Sequence, residues 1–134
     1  ELIDGVIYDM GAPYVAHQGI VGEIFFALKE YVKKNQGTCR VGLSPMDVQL
    51  DCDNKTMVQP DVMALCKRDK ITKKNILGAP DFVVEVLSKA TRKKDMTIKL
   101  NKYTNAGVRE YWIVDPKNER VIVYDIENDL GFTD

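Results

Sequence analysis

The segment Phe82-Val83-Val84-Glu85-Val86-Leu87 constrains this chain more than any other. A short run of β-branched and aromatic residues predicts a strand buried on both faces, yet this one carries a carboxylate at its centre. Burying an ionised carboxylate in such surroundings is costly unless a charge or a metal sits against it. Pro60-Asp61 places a second carboxylate at the entry of another apolar run, residues 62–66. Side chains alternate along a strand, so Glu85 shares a face with Val83 and Leu87. If the two runs lie side by side, Asp61 and Glu85 can converge on one divalent cation. Two oxygen ligands completed by water suit a hard ion such as magnesium, and such an ion lowers the pKa of bound water and polarises a phosphoryl oxygen. The simpler alternatives are that Asp61 only begins a strand and that Glu85 is paired by a basic residue.

A helix predicted over residues 88–103 follows at once, capped by Ser88 or Thr91. Within it Arg92, Asp95, Lys99 and Tyr103 recur at spacings of three and four, which puts them on one face. If that face looks onto the end of the strand that holds Glu85, Lys99 can orient a water or oppose developing negative charge on a phosphate. The alternative is an exposed Asp95–Lys99 pair at helical spacing, which contributes little. His17, the single histidine, precedes an apolar helical stripe, where a packing or capping role is the simpler one; it is also the one side chain that ordinarily titrates near neutrality. One histidine excludes a zinc centre built from several imidazoles. Cys39, Cys52 and Cys66 have no CxxC spacing, and their odd number reads as reduced thiols in a cytoplasmic protein.

The remaining pattern orders the elements. Asp4-Gly5 between apolar pairs predicts a hairpin turn. Ile20, Ile24, Leu28 and Tyr31, flanked by Val21, Phe25 and Val32, give a helix that Gly37 ends. Residues 40–50 alternate weakly and break at Ser44-Pro45; 51–55 is a polar turn; 67–75 is a lysine-rich loop or short helical turn. Asn105-Ala106-Gly107 closes the second helix. Residues 110–114 form another buried strand, with Trp112 as core and Tyr111 as rim, and 120–125 its hairpin partner. The chain of 134 residues is long enough for one domain, 1–134, of the mixed α/β (α+β) class. No apolar run approaches the length of a membrane span, so no membrane partner is expected. The net charge of −1 is unevenly spread: residues 67–102 hold eleven Lys or Arg against four acids, an excess of +7 that leaves −8 elsewhere. Such a segment can grip a polyanion or form a solvated basic face.

Glu1-Leu2-Ile3-Asp4-Gly5, His17, Pro60-Asp61, Glu85-Val86-Leu87-Ser88, then Arg92, Asp95, Lys99 and Tyr103, and finally the run from Gly107 through Tyr111-Trp112 to Asp115-Pro116 together resemble the Uma2 family, a restriction-endonuclease-like group within the PD-(D/E)xK nuclease superfamily. The resemblance covers nearly the whole chain. It implies a restriction-endonuclease-like core, a central mixed β-sheet flanked by helices, with the N-terminal hairpin added. It further implies that Asp61 and Glu85 are catalytic metal ligands for Mg2+ or Mn2+, with the Val86 carbonyl facing the ion and Glu1 an extra acidic ligand. The lysine usual two positions after the glutamate is replaced by Leu87. Lys99, from the next helix, would take its catalytic place, with Arg92, Asp95 and His17 in support.

Together these readings point to a metal-dependent DNA endonuclease that hydrolyses phosphodiester bonds, acting as a homodimer where both strands are cut. The alternative is a non-catalytic DNA-binding or protein-interaction module that keeps the nuclease fold.

Overall fold

A computed structural model describes residues 1–133. Leu2–Ile3 (β1) and Val6–Ile7 (β2) pair antiparallel. Asp4 and Gly5 between them both take positive φ, 49° and 80°, the geometry that favours Asp-Gly in a two-residue turn. The long helix Val15–Lys34 (α1) follows. It turns Val21, Ile20, Ile24, Phe25, Leu28 and Val32 inward, whereas Tyr31, expected in that stripe, lies exposed. The residue with positive φ after α1 is Gln36, not Gly37; the Gly37 N–H closes the helix by donating to the Val32 carbonyl at 2.8 Å.

Arg40–Leu43 (β3) and Val48–Gln49 (β4) flank the Ser44-Pro45 break, and Val62–Leu65 (β5) follows the polar turn. The lysine-rich stretch holds one 3-10 turn at Arg68–Lys70. Ile76–Leu77 (β6) pairs with β4, and Phe82–Val86 (β7) is the strand expected around Glu85. The single helix expected over 88–103 is two: Arg92–Met96 (α2) and Ile98–Ala106 (α3). They part at Thr97, whose hydroxyl donates to the Lys93 carbonyl at 2.6 Å and whose backbone leaves helical angles. Back-bonding of this kind bends helices. Gly107, at φ 94°, caps α3 in the left-handed conformation, as its position predicted. Glu110–Asp115 (β8) and Arg120–Asp125 (β9) form the expected hairpin, and Leu130–Thr133 (β10) adds an edge strand for which no expectation was drawn.

Six strands make one mixed sheet in the order β10-β9-β8-β7-β5-β3. Only β7 and β8 run parallel, because α2 and α3 form the crossover between them. Alternation along β7 divides the core. Val84 and Val86 face α1, together with Val21, Val41 and Val62. Val83 and Leu87 face the other side, where Tyr103, Tyr111, Ile113 and the β4–β6 pair gather. Tyr111, expected at the rim, is fully buried, while Trp112 is half-buried and packs edge-to-face on Phe82. Among the described residues no helix is long and apolar enough to cross a membrane.

The cysteines correct the expectation of three reduced thiols. Cys39 and Cys66 form a disulfide, and Cys52 alone is free. The cause is register: β3 and β5 pair antiparallel with Arg40 opposite Leu65, which brings the residues just beyond them face to face. With that pairing the cysteines no longer mark a reducing compartment.

Candidate active site

β5 and β7 are antiparallel neighbours, with Val62 opposite Val84. That register carries Asp61, one residue before β5, to the level of Glu85, and the Val86 N–H donates to Asp61 Oδ2 at 2.7 Å. His17, in the first turn of α1, reaches the same point. Its Nε2 lies 2.9 Å from the Val86 carbonyl oxygen and 3.4 Å from Asp61 Oδ2. One imidazole nitrogen therefore touches both the carboxylate and the carbonyl.

Glu85 lies inside, 3 % exposed. Lys99 Nζ, from α3, stands 3.1 Å from Glu85 Oε2, 3.0 Å from Glu1 Oε2 and 3.7 Å from Asp95 Oδ1. Tyr103, one turn further along α3, donates to Glu85 Oε1 at 3.0 Å. Tyr111 of β8 donates to the Asp95 carbonyl at 3.0 Å, which fixes α2 over the sheet. Glu1 is held from two further directions: the Gln59 N–H donates to its Oε2 at 2.8 Å, and Lys94 Nζ lies 3.0 Å from its Oε1. The break at Thr97 does not separate Asp95 from Lys99, so the spacing of four still brings them together across it.

Three carboxylates, Glu85, Asp95 and Glu1, thus surround one buried ammonium. Burial works against the charge on Lys99, but Glu85, Asp95 and Glu1 outweigh it and hold the amine protonated, well above the usual lysine range. Burial pushes Glu85 well up; Lys99 opposes that, and Asp95, Asp61 and Glu1 reinforce it. Burial likewise raises Asp61 against the Val86 N–H and His17, and raises Asp95 against Lys99. Glu1 alone is lowered: burial raises it, but Lys99, the Gln59 N–H and Lys94 prevail.

Asp61, Glu85, Asp95 and Lys99 are therefore brought together, and His17 meets them at the edge. Arg92 is not brought in. Its guanidinium lies 2.6 Å from Asp115 Oδ1, and Asp115 also accepts from Asn118 and Arg120, so this arginine ties α2 to the β8–β9 hairpin. Lys94 was not expected at the site. It sits in a run of basic residues from which no spacing rule singles it out. Among the described residues no three His, Cys, Asp or Glu side chains are gathered closely enough to hold a metal ion as they stand. The donor types available, a carboxylate from Asp61, the buried one of Glu85 and the Val86 carbonyl, are all hard oxygens, as magnesium and manganese require.

The model of the Uma2 family, described as "Putative restriction endonuclease", matches residues 1–131. The chain belongs to the Uma2 family. A solved structure, described as a putative nuclease belonging to DUF820 from Anabaena variabilis ATCC 29413, superposes with a TM-score of 0.80 at 21 % identity, over 98 % of this chain and 74 % of that one. At that identity the likeness speaks for the fold. No curated protein matches. The Uma2 assignment and the nuclease-like fold agree with the expected restriction-endonuclease-like sheet and its flanking helices.

Proposed function

We propose that this protein is a metal-dependent DNA endonuclease whose site is built on Asp61, Glu85 and Lys99. The observation that carries the reading is the juxtaposition of Lys99 Nζ and Glu85 Oε2 at 3.1 Å, with Asp61 across the strand pair. Because the lysine comes from α3, it fills the role left open by Leu87.

Asp61, Glu85 and the Val86 carbonyl would hold Mg2+ or Mn2+, with Glu1 and Asp95 adding negative charge behind them. When bound, the ion would supply a polarised phosphoryl oxygen and an acidified water. Glu85 is oriented for ligation by Tyr103 and Lys99, which leave part of each oxygen's lone-pair capacity free. Lys99, held protonated by three carboxylates, acts as a donor and not as a base: its ammonium orients a water and opposes charge that builds on the phosphate. The Val86 N–H fixes the Asp61 carboxylate, and His17 limits access to it from the α1 side. Lys89, exposed just beyond β7, and Lys93, exposed on α2, supply charge for the sugar-phosphate backbone without reading sequence. A symmetric dimer would suit cleavage of both strands.

Calorimetric titration with Mn2+, paired with plasmid nicking, tests this reading. Wild-type protein should bind the ion and nick, and Glu85→Ala should lose both. Absence of binding at millimolar Mn2+ would leave a non-catalytic module on the nuclease fold, a reading favoured by the burial of Glu85 against Lys99 and Tyr103.

A further inference from the structure

The carboxylate cluster is closed on most sides and reaches solvent where Asp61, His17 and Lys94 lie, their side chains 15, 13 and 12 % exposed. One stretch of chain borders that opening from end to end. It starts just after β2, where Tyr8 lies under Lys94 Nζ at 5.4 Å from its ring centroid and receives the chain's N-terminal amine on its carbonyl at 2.9 Å. It ends at the start of α1, where the Tyr14 carbonyl accepts from the Gln18 N–H at 3.1 Å. That places Tyr14 less than one helical turn before His17.

Apart from the exposed Asp9 this border is apolar, and none of the other described residues covers it. Ile7 is 79 % exposed, Met10 52 % and Tyr14 80 %. A fully paired duplex presents phosphates to such a border and keeps its base faces stacked inside, so exposed apolar side chains find no partner there. A strand with unpaired bases presents both a charged backbone and free π-faces. Lys94 at the opening, with exposed Lys93 next to it in the chain and exposed Lys89 three residues beyond Val86, meets the first, and Tyr14 with Ile7 and Met10 meets the second.

We propose that residues 7–14 form a stacking shelf for unpaired nucleotides of DNA, with Tyr14 as the principal stacking side chain, so that the substrate is single-stranded or locally opened at the bond to be cut. This rests on the nuclease reading for the position of the scissile phosphate, and deepens it by naming the substrate class.

Fluorescence anisotropy in EDTA separates binding from cleavage. The probes are a short labelled thymidine strand, a duplex of the same length, and an abasic strand with the same phosphates. Wild-type protein should bind the thymidine strand more tightly than the other two. Tyr14→Ala should weaken that probe about tenfold or more, the usual cost of losing one stacking aromatic, and leave the abasic strand and the duplex unchanged; Tyr14→Phe should retain the wild-type pattern. Equal affinity for duplex and single strand, or a Tyr14→Ala effect that is absent or the same for all three probes, overturns the shelf. Cleavage by wild type and Asp61→Asn is scored separately with Mn2+. Cleavage that needs Asp61 but ignores Tyr14 sinks the shelf alone. Base-dependent binding through Tyr14 without cleavage keeps the shelf and sinks the enzyme.

Discussion

Lys99 of α3 and Glu85 at the centre of β7 meet at 3.1 Å in an interior that admits almost no water. The contact explains how a strand this apolar tolerates a carboxylate, and it ties the crossover helices to the sheet at the point where Asp61 and His17 arrive from two other elements. Each consequence can be measured.

Removing the ammonium leaves Glu1, Glu85 and Asp95 buried against one another. Breaking a buried pair in this way costs about 3–5 kcal/mol, so Lys99→Met should lower the urea midpoint substantially. Nicking should fall to background while Mn2+ affinity is undiminished, because the competing cation has gone. Added Mn2+ should restore part of the lost stability. A variant that still cuts DNA at the wild-type rate removes Lys99 from the mechanism.

Tyr103→Phe deletes one donor to Glu85 and little volume. A hydrogen bond to a charged or partly charged group contributes about 1.5–3 kcal/mol, and equilibrium unfolding should show a loss in that range. The pH dependence of nicking should move as well, because Glu85 loses a neighbour that holds its orientation. An unchanged denaturation curve would mean that Glu85 Oε1 finds a replacement donor when the hydroxyl is removed.

Asp115 contributes to the acid limb of stability. Burial would raise its carboxyl, but Asn118 and Arg92 bring it down to about 2 from the ordinary aspartate value of 3.8. A depressed carboxylate stabilises the fold above its unfolded value and loses that contribution as pH falls through the folded one. Stability should therefore drop between about pH 4 and pH 2. Asp115→Asn should be less stable than wild type at neutral pH and show a flatter acid limb, as followed by thermal melts across that window.

Much of this arrangement could be read from the residues. The alternation around Glu85, the pairing of its strand with the run after Asp61, and the convergence of Asp95, Lys99 and Tyr103 all follow from periods of two and of three to four, which backbone geometry imposes directly. Arg92 shared the helical spacing and went elsewhere, because Asp115 offers it a buried carboxylate on the neighbouring hairpin. The break at Thr97 was hidden because it rests on one hydroxyl competing for a carbonyl, a choice that spacing does not record. Glu1 and Lys94 lie more than ninety residues apart yet meet at 3.0 Å, and only the family resemblance drew attention to Glu1. The disulfide between Cys39 and Cys66 depends on the register of β3 and β5, which composition cannot supply. β10 passed unnoticed because its Leu130 and Phe132 are exposed and show no buried face.

The central claim is that Asp61 and Glu85 share one cation. An anomalous difference map from a crystal soaked in Mn2+ addresses it without an assay of activity. The account predicts a peak bounded by the Asp61 carboxylate, the Glu85 carboxylate and the Val86 carbonyl. A saturated soak with no peak there, or with manganese only in the cleft at the far end of β7 that Asp81, Asp125 and Glu127 line, would contradict it.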